Sequence, residues 1–268
     1  MDHRRVQRAL FRMQLDPRFA ERLRARDAEA LASAALGAEE LALLAGADPA
    51  GVSADRDGKR RAQVLRNVTG EFALSLAVAA DPGLVDAFPE SREFHDAVAS
   101  DSSLPLAFAR HLEGRAADGA PLLRALVALE SALAGARRAR RAPAPLVAGE
   151  VALAPWVELV SAPLGTLEAA ARVRAALDRG EPTPVGVVVS TSERETLLVR
   201  RAPEPDPFRL PEVEVESLSP ELAALLARAA KPLGAAALAA HARQASVSQG
   251  ELGEVVAGLV AERILIAG

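Results

Sequence analysis

The residues of this chain that could do chemistry are few and far apart. Its four histidines are His3, His95, His111 and His241, and no two of them lie four positions apart with an acid between them, as in a helical zinc site. This spacing predicts histidines that are solvated or that cap helices. His111, in "ARHLEG", is predicted near a helix end, where a positive charge is favourable.

Hydroxyl and carboxylate side chains also give no catalytic pattern. Serine and threonine cluster only in "STSERET", residues 190–196, which is typical of a hairpin turn, and no Gly-Lys-Ser/Thr phosphate loop is present. Glu212, Glu214 and Glu216 alternate along one predicted strand face, which indicates a solvated or partner-facing edge more than a metal cage. The sequence therefore predicts no catalytic residue, no metal ligand and no cofactor-binding residue in this chain.

The charge distribution argues against a protein that binds nucleic acid through a basic surface. The chain has 32 basic and 36 acidic residues, for a net charge of −4 at pH 7. The one basic cluster, "RRARR" at 137–141, has no aromatic or polar base-reading residues beside it. A solvated helix end explains these arginines, since cations are favoured at the C-terminal pole of a helix.

Composition sets the class of fold. Half of the 268 residues are hydrophobic but only 3% are aromatic, which predicts a core of Leu, Val and Ala in closely packed helices. The absence of cysteine excludes disulfides, thiolate metal sites and cysteine nucleophiles. Residues 1–20 show no signal-peptide core, and no apolar run approaches 18 residues, so we expect a cytoplasmic protein without a membrane partner.

The first half of the chain predicts helices. "DHRRVQRALFRMQL" places Val6, Leu10 and Met13 on one face, and Asp16-Pro17 predicts a capped start of the next helix. The same Asp-Pro start recurs at Asp48-Pro49 and Asp81-Pro82, and further helices are predicted over 55–80 and about 121–141. The residues predicted to face inward over 55–80 are Val64, Val68, Phe72, Ser75 and Leu76.

The second half changes to the period of strands. "WVELV", "VGVVVS", "ETLLVRR" and "EVEVES" are predicted strands, and the last alternates strictly, as a half-exposed strand does. Three helices and a short final strand, "ILIAG", then follow in the order of a winged-helix-like unit. The sequence thus predicts an α+β fold, with an all-helical domain over 1–145 followed by a domain over 146–268 that has a small β-sheet, helices and a winged-helix-like tail.

Seven segments resemble, in order, those of one family. They are "LRNVTGEFALSLAVA" with its Arg-Asn pair, "REFHDAVAS", "DSSLPLAFARHLEG", "PLLRALVALESALAGARRAR", "LAPWVELVSAP", "ETLLVRR" and "LSPELAALLARAAKPLGAAALAAHA". Glu130 stands in the family's Leu-Glu position, and Ser131 stands where the family usually has Trp. The resemblance is to the partner proteins of multinuclear iron oxidases in the maturation of ribosomal peptide natural products (RiPPs). This family includes HvfC-type proteins and, more distantly, MbnC of methanobactin biosynthesis.

The resemblance implies a function in which this chain is an accessory subunit and not an enzyme. Its partners would be a multinuclear iron oxidase, with which it forms a heterodimer, and a precursor peptide whose cysteines that oxidase modifies. The iron would belong to the partner enzyme, with no cofactor in this chain. The helical domain over 1–145 would bind the partner, and the domain over 146–268 would bind the leader of the precursor.

The predicted leader site is a strand edge, because a small open sheet can accept an extended peptide through main-chain hydrogen bonds. The residues predicted to form it are Leu197, Leu198, Val199, Arg200, Arg201, Val213 and Val215. The two arginines are predicted to anchor acidic leader residues, or else to be solvated strand ends. A winged-helix DNA-binding regulator stays open as an alternative function, although the segment in place of its recognition helix, "SQGELGEVVAGLVAER", holds three acids and one arginine.

Overall fold

The structure, a computed structural model, describes residues 2–46, 54–81, 83–100, 102–116, 120–138, 145–184, 186–202, 211–244 and 249–268. The chain divides between Gly119 and Ala120 into two compact units. We call residues 1–119 the helical unit and residues 120–268 the α+β unit. This architecture confirms the predicted α+β fold with a helical N-terminal part.

The helical unit has nine described α-helices. They are α1 (His3–Leu15), α2 (Pro17–Arg24), α3 (Ala28–Ala34), α4 (Ala38–Gly46), α5 (Ala54–Thr69), α6 (Ala73–Ala79), α7 (Gly83–Ala87), α8 (Arg92–Ser100) and α9 (Leu104–Ala116). The predicted cap at Asp16 is confirmed, because its carboxylate accepts a hydrogen bond from the Phe19 amide at 2.9 Å. Asp81 accepts similarly from the Gly83 amide, whereas Asp48-Pro49 lies outside the described residues.

Four phenylalanines form the centre of the helical unit. Phe72, Phe88, Phe94 and Phe108 are fully buried, and their rings meet edge to face at centroid distances of 4.9 to 5.3 Å. Leu, Val and Ala supply most of the buried residues of this unit, as predicted, but its largest fully buried side chains are these phenylalanines, because the few aromatic residues are concentrated here. The helix predicted over 55–80 is also interrupted: a 3-10 turn at Gly70–Phe72 separates α5 from α6, since glycine is a poor helix former.

The α+β unit begins earlier than predicted. Its elements are α10 (Pro121–Arg138), β1 (Glu150–Leu153), β2 (Val157–Pro163), α11 (Thr166–Asp178), β3 (Arg194–Arg201), β4 (Val213–Leu218), α12 (Pro220–Arg228), β5 (Leu233–Gly234), α13 (Ala235–Gln244), α14 (Gln249–Ala261) and β6 (Leu265–Ala267). The sequence places the boundary at 145/146, whereas α10 packs against β2, β3 and β4 and therefore belongs to this unit.

The strands β2, β3 and β4 form an antiparallel sheet in that order, which we call the central sheet. One face, with Leu198 at its middle, shares a core with Leu225 and Leu226 of α12. Side chains alternate along a strand, so Leu197 and Val199 point to the opposite face, where α10 packs. All three residues at the middle of β3 are at most 1% exposed, because both faces of the sheet are covered.

The strands β5, β1 and β6 form a second antiparallel sheet, which we call the tail sheet. Together with α12, α13 and α14 it makes the predicted winged-helix-like tail. The middle strand of this sheet does not come from the tail segment itself. It is β1, which lies earlier in the chain and pairs with β5 on one side and β6 on the other. Trp156 follows β1, and its indole N–H donates to the Arg263 carbonyl, just before β6, at 2.8 Å.

One predicted strand is absent from the described residues. In "VGVVVS", residues 187–190 are not in a strand. Val187 and Val189 instead pack against Ala125 and Ala169, which explains why an apolar run without a ladder partner occurs here. No helix in the described part of the chain combines the length and the apolar character that a membrane crossing needs.

Candidate functional site

The structure brings the predicted leader-site residues together on two neighbouring strands. Leu197, Leu198, Val199, Arg200 and Arg201 lie on β3, and Val213 and Val215 lie on β4. Val199 is directly opposite Val215, and Arg201 is directly opposite Val213. These seven residues therefore form one continuous piece of the central sheet.

The position of β3 rules out peptide pairing at that strand. β3 is the middle strand, with β2 on one side and β4 on the other, so both rows of its backbone groups are used. The amide of Arg201 donates to the Trp156 carbonyl at 3.0 Å, and the alternation of the ladder makes Val199 a partner of β2 as well. A proline at Val199 would therefore test the integrity of the sheet and not peptide docking.

The outer edge of β4 has backbone groups that no described residue pairs with. The amide of Ala202 donates to the Glu212 carbonyl at 2.8 Å, and bonded and non-bonded pairs alternate in an antiparallel ladder. The even-numbered residues of β4 therefore bond to β3, and the odd-numbered ones direct their N–H and C=O groups away from it. These outward residues are Val213, Val215 and Ser217, and within the described residues no hydrogen bond is found for their outward groups.

The opposite edge of the central sheet, at β2, is less open to another strand. The amide of Val157 donates to the Ala154 carbonyl at 3.0 Å. Arg194 donates to the carbonyl of Ser161 at 2.7 Å, and Pro163 has no amide hydrogen. Because these groups are used or missing, β4 is the better template for an added strand.

A groove lies beside the end of β4, between the central sheet and α12. Its volume is ≈ 640 Å³, which is within the range of ligand-binding cavities. Leu159, Leu164 and Leu218 from the sheet side and Ala223, Ala224 and Ala227 from α12 give it apolar walls, with Arg194, Thr196 and Ser217 among its polar lining. A strand added along β4 would pass Ser217 and reach this groove.

Arg200 already has partners within the α+β unit. Its guanidinium forms an ion pair with Glu214, its partner across the ladder, and Nη1 donates to the Glu262 carbonyl at 3.2 Å. Anchoring of an acidic leader residue by Arg200 would compete with these bonds. Among the three alternating glutamates, Glu214 is thus neutralised, whereas Glu212 and Glu216 are exposed on the same face of β4.

The helical unit contains a His–Asp pair whose members are far apart in sequence: Asp16 is buried and His95 is partly exposed. His95 Nε2 is 2.9 Å from Asp16 Oδ2 and 3.0 Å from the Pro89 carbonyl, while Nδ1 is 2.9 Å from an Arg12 nitrogen. Since arginine only donates and the two oxygens only accept, this suits a neutral ring with its proton on Nε2. Both ring nitrogens are therefore occupied, and the pair joins α1, α2 and α8 without presenting a base to a substrate.

These contacts lower the pKa of the Asp16 carboxylate. Burial acts to raise the pKa of Asp16, but the hydrogen bonds from His95 and from the Phe19 amide outweigh it and hold that pKa below its usual range. Arg12 also lies over the Phe19 ring at 3.7 Å and donates to Ser33 at 3.1 Å. Sequence reasoning missed this cluster, because 79 residues separate His95 from Asp16 and no local spacing connects them.

Two further histidines, His111 and His241, are buried. His111 is 5% exposed and its Nε2 is 3.2 Å from the Leu84 carbonyl. Burial lowers the pKa of His111, so the prediction of a favourable positive charge at a helix end is wrong; the residue lies inside α9. His241 is 8% exposed. Within the described ranges, no three His, Asp or Glu side chains converge as a metal site requires.

Comparison of the chain with known protein families and with curated proteins finds no match. The resemblance to the RiPP-maturation partner proteins therefore stays a prediction from the sequence segments.

Proposed function

We propose that this chain is a non-catalytic partner subunit of a multinuclear iron oxidase and binds the leader of a ribosomal precursor peptide at the outer edge of β4. The observation that carries the proposal is the row of outward backbone groups at Val213, Val215 and Ser217, for which the described part of the chain supplies no hydrogen-bond partner. An extended peptide can satisfy such a row by adding a strand, which gives affinity through main-chain bonds. The seven sequence segments support the identity of the partner.

The leader would lie antiparallel or parallel to β4 and form a fourth strand of the central sheet. Every second leader residue would turn its backbone toward Val213, Val215 and Ser217. The end of the leader near Ser217 would place an apolar side chain in the groove beside α12. The exposed Glu212 and Glu216 favour basic leader residues on their face, which replaces the predicted anchoring of acidic residues by Arg200.

The iron chemistry belongs to the partner in this proposal. The oxidase would hold its own metal ions and modify the cysteines of the precursor, while this chain binds and orients the leader. Because a ribosomal precursor is made in the cytoplasm, we expect the heterodimer to act there. The proposal gives this chain no cofactor of its own.

Co-expression with a multinuclear iron oxidase from the same gene neighbourhood tests the proposal. We expect the two chains to co-purify as a 1:1 complex, to bind the leader peptide, and to modify the cysteines of the full precursor. Metal analysis should find the iron in the complex and in the isolated oxidase. Two separate peaks on gel filtration, together with a leader that binds neither peak, would contradict the proposal.

The alternative function, a winged-helix DNA-binding regulator, is supported by the arrangement of the tail alone. A recognition helix needs side chains that contact phosphates and base edges. α14 carries Glu251 and Glu254 and has no Lys or Arg between residues 249 and 261. Salt-dependent binding of the isolated chain to duplex DNA would favour this alternative over the partner subunit.

A further inference from the structure

A second groove lies in the helical unit, between α1, the end of α8 and the start of α9. Its volume is ≈ 540 Å³. From α1 it is lined by Arg4, Arg8 and Phe11, which lie on one face of the helix at i, i+4 and i+7. Val98 and Leu104 line it from the other side. The groove therefore combines cationic and apolar side chains on one surface.

The apolar part of the groove is accessible to a partner. Phe11 and Leu104 are both half-buried, and Val98, at 8% exposed, lies behind them. A half-buried phenylalanine next to a half-buried leucine loses further contact with water only when another apolar group covers it. A small inorganic anion would leave this surface uncovered.

The cationic part forms no close ion pair with a described residue, and Asp2 interacts with Arg8 only at longer range. α1 carries four arginines and no Asp or Glu. Arg5 is paired with Asp2 at 3.2 Å, and Arg12 belongs to the cluster with His95. Arg4 and Arg8 have no carboxylate within 4.0 Å among the described residues, and Arg8 donates to the Ala99 carbonyl at 3.0 Å, which orients its guanidinium toward α8.

The spacing of the two arginines indicates the shape of the ligand. They lie one helical turn apart, about 6 Å along the axis of α1. Two carboxylates at i and i+4 on a second helix have the same separation, and an apolar residue at i+7, one turn further along the same face, would reach Phe11 and Leu104. We propose that this groove binds an acidic amphipathic helix of the partner oxidase; the identity of that partner rests on the proposed function.

The test measures the affinity of the chain for the co-expressed oxidase by surface plasmon resonance. The first variant reverses both charges, Arg4→Glu with Arg8→Glu, and the second, Arg4→Gln with Arg8→Gln, removes them more gently. The matched control is Arg172→Glu with Arg174→Glu, which makes the same change in net charge at two exposed positions of α11. Circular dichroism establishes that each variant is folded.

We expect the double reversal to weaken binding at least about tenfold, the glutamine pair to weaken it less, and the control to bind like the wild type. A folded double reversal that binds the oxidase as tightly as the wild type overturns the inference. Wild-type chain that binds no oxidase contradicts the proposed function, and a second probe then decides on the groove. This probe is a synthetic amphipathic helix with Glu at i and i+4 and Leu at i+7, compared with its Gln analogue.

The groove is supported if the acidic helix binds the wild type, if the Gln analogue binds more weakly, and if the double reversal abolishes the difference. Equal binding of the two helices, or no binding of either, overturns it. Effective competition by phosphate at millimolar concentration also overturns it, because that result assigns the arginines to a small anion.

Discussion

The two sheets of the α+β unit have the same number of strands and the same antiparallel pairing, yet they differ in what their edges offer. The edge strands of the tail sheet, β5 and β6, have 2 and 3 residues, whereas β4 of the central sheet has 6. Very short edges are one way in which proteins avoid adding further strands. Of the two described sheets, the central sheet therefore offers the longer row of outward groups, one long enough to hold a peptide.

The sheets also differ in their middle strands. β3 is buried on both faces, with Leu197, Leu198 and Val199 at most 1% exposed, whereas β1 has only 4 residues. The edge at β4 is thus held by a rigid layer between α10 and α12. A binding edge on such a support costs little conformational entropy when the peptide adds to it.

The largest expected effect is a loss of stability when the buried core of β3 is truncated. Leu198→Ala should lower the free energy of unfolding by roughly 2–5 kcal/mol, because it leaves a cavity where Leu198 meets Leu225 and Leu226. Urea denaturation followed by circular dichroism measures this change. Ala267→Ser, at the rim of the tail sheet, serves as the control and should stay within about 0.5 kcal/mol of the wild type. Equal stability of the two variants would contradict the central role of β3.

The next prediction separates leader binding at the β4 edge from the stability of the fold. Val215→Pro removes an outward amide, so the sheet should stay folded while leader affinity falls about tenfold, from the lost hydrogen bond and the bulk of the proline ring. Val215→Thr keeps the amide and a similar shape and should bind like the wild type. Isothermal titration with the leader peptide measures both. Undiminished affinity of a folded Val215→Pro variant would place the leader elsewhere.

The next prediction concerns stability in acid, and it applies to the helical unit. The pKa of Asp16 is lowered in the folded chain, so its stabilising contribution is present above the pKa of an unfolded aspartate and is lost as pH falls through the lowered value. Asp16→Ala should cost about 1–2 kcal/mol at pH 7, since a helix cap and the bond to His95 are lost. Thermal unfolding at pH 7 and pH 3 measures both. A difference between wild type and variant that grows at pH 3 would contradict the sign.

The smallest effect is expected at the tail sheet. Ala267 lies on the edge strand β6, and the bond from the Ala154 amide to the Ile264 carbonyl makes the Ala267 amide an outward one. Ala267→Pro should therefore keep the fold and leave leader affinity within about twofold of the wild type. A tenfold loss in this variant would show that the two edges are not distinct in function.

Local patterns predicted much of the fold but not the order of the strands. The alternation of "EVEVES" predicted the half-exposed β4, and Asp16-Pro17 predicted a helix start, because both signals act within a few residues. The prediction that β3 offers an edge failed, since strand order depends on distant partners. The unbroken apolar run Leu197–Val199 was a usable signal, because a strand with both faces covered has no polar alternation.

The parts that sequence reasoning missed depend on contacts between distant segments. The Phe72, Phe88 and Phe108 rings meet although composition suggested an aliphatic core, and His95 meets Asp16 across a sequence separation of 79 residues. The sequence placed Val213 and Val215 in one small sheet with β3, but only the register shows that their backbone groups face outward. Register is set by the whole sheet and not by either strand alone.

Hydrogen exchange of individual amides, measured by NMR with and without the leader peptide, is the direct test of whether the leader adds a strand at β4. In the free chain, the amides of Val213, Val215 and Ser217 should exchange fast, while those of Glu214 and Glu216 should be protected by β3. Saturating leader peptide should protect the three outward amides and leave those of β6 unchanged. Leader binding that leaves Val213, Val215 and Ser217 in fast exchange would contradict strand addition at β4.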